Sequence, residues 1–274
     1  MARNTIKTIY AWMAMVAAIL ILALVMIASC GPYSSFSARD RSQIPGYDRP
    51  PLGAFALIFV EIEITPAVCL PPTTEEECEL IVMNLPSIKQ VHSGSGLNLW
   101  YKGKELIVTA AHVCTEDVPD AFEHAGIKFT VLQKTTVDVM SVSGKKYRAE
   151  VVGLDDDADI CALKIEGKFS DDPPVKLSES PLRMGDRVYA VAAPYGLGGK
   201  NLALVFTGFY SGVRDGKHFY TIPTRPGSSG SIVLNEDWEA VGNLHTAYVP
   251  LEHVGIGAGW KDLRDFLESV QLED

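Results

Sequence analysis

Gly227-Ser228-Ser229-Gly230-Ser231 sets three hydroxyls in a glycine-bounded turn between Pro226 and the apolar run Ile232-Val233-Leu234. A serine hydroxyl is a weak nucleophile until a neighbouring base takes its proton, so chemistry at such a turn calls for an imidazole and an acid to orient it. His112 ends Val108-Thr109-Ala110-Ala111-His112, just past a β-prone run, and Asp159 opens Asp159-Ile160-Cys161-Ala162-Leu163-Lys164-Ile165. Taken singly, each has an ordinary reading: a structural histidine, a turn acid, a loop. Taken in order they supply a base, an orienting acid and a nucleophile. Ser229 alone is centred in Gly-x-Ser-Gly, and Asp159 alone is followed directly by the apolar strand pattern, with Asp157 the next choice.

The segments that must hold these residues are short and β-prone. FALIFVEIEI, LNLWY, ELIVTAAHV, FTVLQKTTVDVMSV, KYRAEVVGL, ICALKI, RVYAVAAP, LALVFTGFYSGV, HFYTIP, SIVL and EAVGNLHTAYV are separated by Gly, Asp and Pro turns. Such a series suits antiparallel barrels better than βαβ units. Helical signals are few. TEDVPDAFEHA has room for one short helix, and GWKDLRDFLESVQL carries Leu263, Phe266, Leu267 and Val270 at helical spacing, which predicts a C-terminal amphipathic helix. DDPPVKLSESP, residues 171–181, is the best boundary between two halves.

The order His112, Asp159, Ser229, with the residues around each, resembles the chymotrypsin-like (trypsin-like) serine peptidases over roughly residues 54–258. SGSGLNLWYKGKELIVTAAHV is similar to the strand pair leading to the catalytic histidine in HtrA-type members, and YRAEVVGLDDDADICALKI is similar to the stretch that delivers the acid. YAVAAPYGLG and GSSGSIVLNEDWEAVGNLHTA resemble the matching stretches of the second barrel. The resemblance implies an all-β fold of two antiparallel six-stranded β-barrels with the site in the cleft between them, the first over 54–170 with His112 and Asp159, the second over 171–274 with Ser229 and the C-terminal helix. It implies a serine endopeptidase acting on polypeptide, with Gly227 and Ser229 giving backbone N–H groups to an oxyanion hole. The competing reading is a catalytically silent peptide-binding module on the same fold.

Specificity is read from two further positions. Pro223, six residues before Ser229, stands where trypsins carry the acid that selects basic side chains, so Lys or Arg specificity has no support. His245 resembles the downstream histidine of glutamyl endopeptidases and viral 3C-like peptidases, which implies a substrate-binding role favouring Glu or Gln, but small apolar residues are the preferred reading and Glu or Gln the alternative. Ser228 stands where propeptide-activated members carry an acid, so activation by that route is not expected.

Ahead of the barrels, Arg3 and Lys7 precede the apolar stretch of residues 11–29, which predicts a signal peptide or membrane anchor over 1–29. Ile27-Ala28-Ser29-Cys30 resembles a bacterial lipobox and makes Cys30 a lipidation candidate, against an uncleaved single-span anchor or plain secretion. Residues 30–53, rich in Pro, Gly and Ser, read as a flexible spacer. The catalytic part is thus expected outside the cytoplasm at a membrane; a cytoplasm-facing anchored protein is the remaining possibility.

Export makes disulfides possible among Cys69, Cys78, Cys114 and Cys161, for which Cys69–Cys78 with Cys114–Cys161 is the preferred pairing over free thiols. The charge of −10, with no clustered basic runs, argues against nucleic acid; losing Arg3 and Lys7 takes the 24 bases to 22 against 34 acids, or −12. Neither C-x-x-C nor H-E-x-x-H occurs, so no metal site and no cofactor is expected. Gly196-Leu197-Gly198-Gly199-Lys200 lacks the full phosphate-loop pattern and reads as a hairpin turn.

Overall fold

In β1 (Phe55–Leu70), Phe55-Ala56-Leu57-Ile58 is buried throughout and then gives way to alternation, Val60 and Ile62 buried between the half-exposed Glu61 and Glu63. The computed structural model describes residues 49–70, 79–82, 87–115, 121–124, 127–170 and 172–271, all within one compact unit. A strand patterned like β1 needs partners on both edges. β3 (Ile88–Tyr101) pairs along one edge, from Phe55 opposite Leu97 to Ile64 opposite Ile88, and β6 (Ile127–Ser141) runs along the other. With β4 (Lys104–Thr109), β7 (Lys146–Asp155) and β8 (Ile160–Ile165) they close an antiparallel ring of six in the order β1-β3-β4-β8-β7-β6.

Three short strands extend that ring. β2 (Glu79–Val82) pairs with the far end of β1, β5 (Ala121–His124) with β6, and β9 (Val175–Lys176) runs parallel to β3. β5 corrects the helix expected within 115–125: residues 121–124 are extended because β6 offers them an open edge, Ala121 opposite Thr130 to His124 opposite Ile127. Residues 116–120 lie outside the described residues, as do 1–48 with Cys30, and Cys78.

The second barrel is built from β10 (Arg187–Ala192), β11 (Leu204–Arg214), β12 (Lys217–Tyr220), β13 (Ser231–Leu234), β14 (Ala240–Ala247) and β15 (Gly255–Gly259). It too is closed and antiparallel, in the order β10-β11-β12-β15-β14-β13. Each barrel has its own apolar interior, Ile58, Val60, Val139 and Leu163 in the first and Val188, Tyr220, Val233 and Leu244 in the second.

A third apolar cluster joins them. Phe55, Leu57, Leu97 and Val108 from the first barrel meet Val191, Ile232 and Leu234 from the second. Leu263, Phe266 and Leu267 of the C-terminal helix (Trp260–Ser269) seal the same cluster, and the Asp262 carboxylate caps that helix by accepting the Gly259 N–H at 2.9 Å. Burial on this scale, at about 25 cal/mol per Å² of apolar surface, fixes the barrels against each other, so residues from both hold a constant spacing. The site depends on that rigidity.

Candidate active site

His112 lies in α1 (Ala111–Cys114), a single helical turn formed where the chain leaves β4. Asp159 lies in the turn that enters β8. A disulfide joins Cys114 to Cys161, Cα atoms 6.6 Å apart, each cysteine two residues beyond the histidine or the aspartate. The bridge ties the two turns together. Asp159 itself takes a left-handed backbone, φ +52°, which costs an aspartate something and is held by its neighbours. On one side the Ala158 N–H donates to Asp155 Oδ1 at 2.9 Å; on the other the buried Asn243 donates Nδ2–H to the Asp159 carbonyl at 3.2 Å from the second barrel.

With its backbone so placed, the Asp159 carboxylate faces His112. The His112 backbone N–H donates to Oδ1 at 3.0 Å, and ring Nδ1 lies 2.8 Å from Oδ2 and 3.1 Å from Oδ1. Burial alone would raise the Asp159 carboxyl; the two hydrogen bonds from His112 and the positive charges of His112 and His245 outweigh it and hold the group below its ordinary range. The acid is therefore ionised at neutral pH, and an Nδ1–H donor leaves Nε2 of His112 as the free lone pair. Asp157 is exposed.

Between the barrels, the serine turn is over-determined by contacts. Gly227 and Gly230 have φ of +89° and +85°, conformations that favour glycine, and a Cβ on Gly230 would strike Thr109 and the Ser95 carbonyl. Within the turn the Ser231 hydroxyl donates to the Ser228 carbonyl at 2.7 Å, the Ser228 N–H to the Arg225 carbonyl at 2.8 Å, and the Arg225 N–H to Ser228 Oγ at 3.4 Å. Ser228 and Ser231 are buried and engaged inside the turn, which leaves Ser229 as the half-buried hydroxyl. The N–H groups of Gly227 and Ser229 have no protein acceptor among the described residues.

Ser95, on β3, is the residue that locks the turn to the first barrel. Its N–H donates to the Ser229 carbonyl at 2.8 Å and its hydroxyl to the Gly227 carbonyl at 2.7 Å, while the same oxygen accepts the Ala193 N–H at 2.9 Å. Thr109 donates to the Ser95 carbonyl at 2.8 Å. Tyr195, in the glycine-rich hairpin turn after β10 and itself at φ +54°, gives its N–H to the Pro226 carbonyl at 2.6 Å. Neither Ser95 nor Asn243 stands out in the sequence; the only signal was the Ser93-Gly94-Ser95-Gly96 pattern, where a serine between glycines allows close approach.

Ser229 does not hydrogen-bond to His112 among the described residues: its hydroxyl donates to the His245 carbonyl at 3.3 Å. The His245 ring is not directed away from the pair either, since its Nδ1 lies 3.3 Å from Asp159 Oδ2. Pro223 is half-buried just before Thr224, and a Cβ on Gly255 would touch Thr224 Oγ1 and come within 2.9 Å of Leu244 Cδ2, so those three residues crowd together beside the turn. Among the described residues no cluster of three or more His, Cys, Asp or Glu could bind a metal, and no helix is long and apolar enough to cross a membrane.

Two closed antiparallel barrels, with a histidine and an aspartate of the first beside a Gly-x-Ser-Gly turn of the second, define the chymotrypsin-like class. The family profile described as a trypsin-like peptidase domain matches residues 94–242, more than half of the 274 residues, and the chain belongs to that family. It is 33% identical over 144 residues to Protease Do-like 5, chloroplastic, of Arabidopsis thaliana, a match covering 52% of this chain and 39% of that protein. Among solved structures it is similar to the serine endoprotease from Yersinia pestis, with a TM-score of 0.53 and 19% identity over 80% of this chain and 63% of that one, a likeness of fold. The chain thus spans about two fifths of the curated relative it matches.

Proposed function

We propose that the protein is a serine endopeptidase in which Ser229 is the nucleophile, His112 the general base and then the general acid, and Asp159 the group that holds His112. The observation that carries this reading is the double hydrogen bond from His112 to an ionised Asp159, on elements joined by the Cys114–Cys161 bridge and packed against the Ser229 turn. On substrate binding the Ser229 hydroxyl rotates from the His245 carbonyl to His112 Nε2, which takes its proton as Oγ attacks the carbonyl carbon. Asp159 stabilises the imidazolium, and the proton passes to the leaving amine. The free N–H groups of Gly227 and Ser229 receive the oxyanion, each such donor being worth about 3 kcal/mol in this type of site.

The preferred substrate side chains are small and apolar, since the largely buried His245 ring lies against Asp159 instead of standing free to bind an acidic or amide group. We place the catalytic part outside the cytoplasm, held at a membrane by residues 1–29 or by lipid on Cys30. The disulfide supports an oxidising compartment. The test is reaction of the full-length protein, in detergent, with a fluorophosphonate probe. Labelling of the wild type that disappears in Ser229→Ala and in His112→Ala is the expected result; a folded wild type that takes no probe would establish the silent binding module instead.

A further inference from the structure

His245 touches both ends of the proposed machinery through different parts of one residue. Its place in β14 explains how. The pairing of β14 with β15 runs in register to Leu244 opposite Gly257 and resumes at Thr246 opposite Ile256, so His245 is the extra residue of a bulge. A bulge turns a side chain out of the pleat and leaves a carbonyl outside the ladder. Here the side chain turns to Asp159, Nδ1 at 3.3 Å from Oδ2, and the carbonyl accepts the Ser229 hydroxyl. The ring is largely buried, its side chain 16% exposed. Asp159 Oδ2 therefore has two imidazole nitrogens within reach, that of His112 at 2.8 Å and that of His245 at 3.3 Å.

We propose that His245 is a positioning residue that shares the Asp159 carboxylate with His112 while its main-chain carbonyl holds the Ser229 hydroxyl, making it an acid-sensitive brake on the site. The inference rests on the Ser229, His112 and Asp159 reading above. With His245 neutral, its ring lies uncharged against the carboxylate, Nδ1 at 3.3 Å from Oδ2, and leaves the negative charge available to His112. When His245 takes a proton it becomes a cation against the same oxygen. Asp159 then stabilises His245 in place of the imidazolium that must form on His112, and His112 becomes a weaker base.

The groups that bear on His245 are burial, Asp159, His112 and Lys217 of β12. Burial disfavours its charged form most, Asp159 opposes that, and the positive charges of His112 and Lys217 add to it, so the ring is held below the ordinary histidine range. It is thus neutral at neutral pH and engages the brake only on acidification.

The test uses two readouts on the full-length chain in detergent. The first is the fluorophosphonate labelling rate from pH 5 to 9 for wild type, His245→Asn and His245→Leu. Asparagine keeps a polar side chain at the bulge but cannot take a proton. The ratio of the rate at pH 8 to that at pH 5.5 is expected to be larger in wild type than in His245→Asn, by less than the roughly tenfold that one unshifted histidine ionisation would give. His245→Leu, which likewise cannot take a proton, should show the same smaller pH ratio as His245→Asn. The second readout is the titration of the His112 ring by NMR on histidine-labelled protein, which should show two steps in wild type and one in His245→Asn.

Coincident pH ratios for wild type and His245→Asn, with an unchanged His112 titration, would overturn the proposal while leaving Ser229 as nucleophile. A wild type that takes no probe, yet still shows the His245 step in the His112 titration, would remove the nucleophile assignment and uphold the coupling of the two rings.

Discussion

The Ser229 hydroxyl donates to the His245 carbonyl at 3.3 Å, a bond that the proposed attack requires it to leave. It is a single, long, half-buried bond, so losing it costs the fold little, about 1 kcal/mol or less. Ser229→Ala should therefore keep its urea midpoint close to wild type while peptide hydrolysis falls at least about a thousandfold. A variant retaining more than a tenth of wild-type turnover would mean another nucleophile.

Asp159→Asn tests the acid. The amide is the same size, but it can present an N–H to His112 Nδ1 and so favour the tautomer that has no lone pair on Nε2. Loss of about ten-thousandfold in kcat/KM near neutral pH is expected, as tautomer reversal gives in sites of this kind. Asp157→Asn, at an exposed position with no part in the contact, should stay within a factor of two to three. Equal losses in the two variants would argue that the whole acidic turn acts only through its charge.

Removing the Ser95 hydroxyl leaves the Ala193 N–H and the Gly227 carbonyl without their buried partner. The cost to stability is about 1–3 kcal/mol, and because the Gly227 peptide belongs to the proposed oxyanion pocket the loss in kcat should exceed the change in KM. Ser95→Ala read by chemical denaturation and by steady-state kinetics separates the two effects. A uniform rise in KM with kcat intact would place Ser95 in substrate binding.

Much of this architecture is legible in the residues themselves, for stated reasons. ICALKI is apolar and bounded by Asp159 and Gly167, and β8 occupies its six residues; the helix predicted from Leu263, Phe266 and Leu267 buries those residues. GIGAG, by contrast, has too few side chains to signal a strand. β15 exists because its glycines let backbones approach closely, and a Cβ on Gly257 would overlap the Asn243 carbonyl. The stretch 121–124 lacked any mark of the β6 edge that makes it extended. In the site, the types and order of His112, Asp159 and Ser229 could be read, but contacts that cross from one barrel to the other could not. Ser95 and Asn243 act through backbone groups far away in the chain, and the orientation of His245 depends on a register shift that no local pattern records.

The Cys114–Cys161 bridge closes a loop of sequence separation 47 and joins the turns of His112 and Asp159. Loop-closure entropy for that length corresponds to about 4 kcal/mol as an upper figure. Cys114→Ser with Cys161→Ser should lower stability by about 2–4 kcal/mol and should reduce activity further at temperatures where the fold is still intact, because α1 is only one turn long and has no other covalent tie to β8. Reduction by dithiothreitol in the wild type should reproduce the loss in denaturation midpoint. An unaltered midpoint in the double variant would show that packing of Ala111 and Val113 in the first barrel holds α1 without the bridge.

Acid should weaken the fold before it protonates the carboxylates. Burial holds His218 and His245 below the ordinary histidine value of 6.5, in each case against a nearby aspartate, Asp262 and Asp159 respectively. Since the unfolded chain binds these protons more readily than the native one, the two rings contribute nothing unfavourable above about pH 6.5, and stability falls as pH drops below that value toward the folded pKa. Asp159 acts in the same sense at lower pH: its depressed carboxyl stabilises the native state above its ordinary value of 3.8, and that contribution is lost as pH falls through the folded value. Melting temperatures should be level from pH 8 to 7 and decline steadily from about 6.5 to 5. Replacing both histidines, in His218→Asn with His245→Asn, should flatten the decline even if the plateau itself moves. A melting temperature constant down to pH 5 in the wild type would show that both rings protonate as easily in the native state as in the unfolded chain.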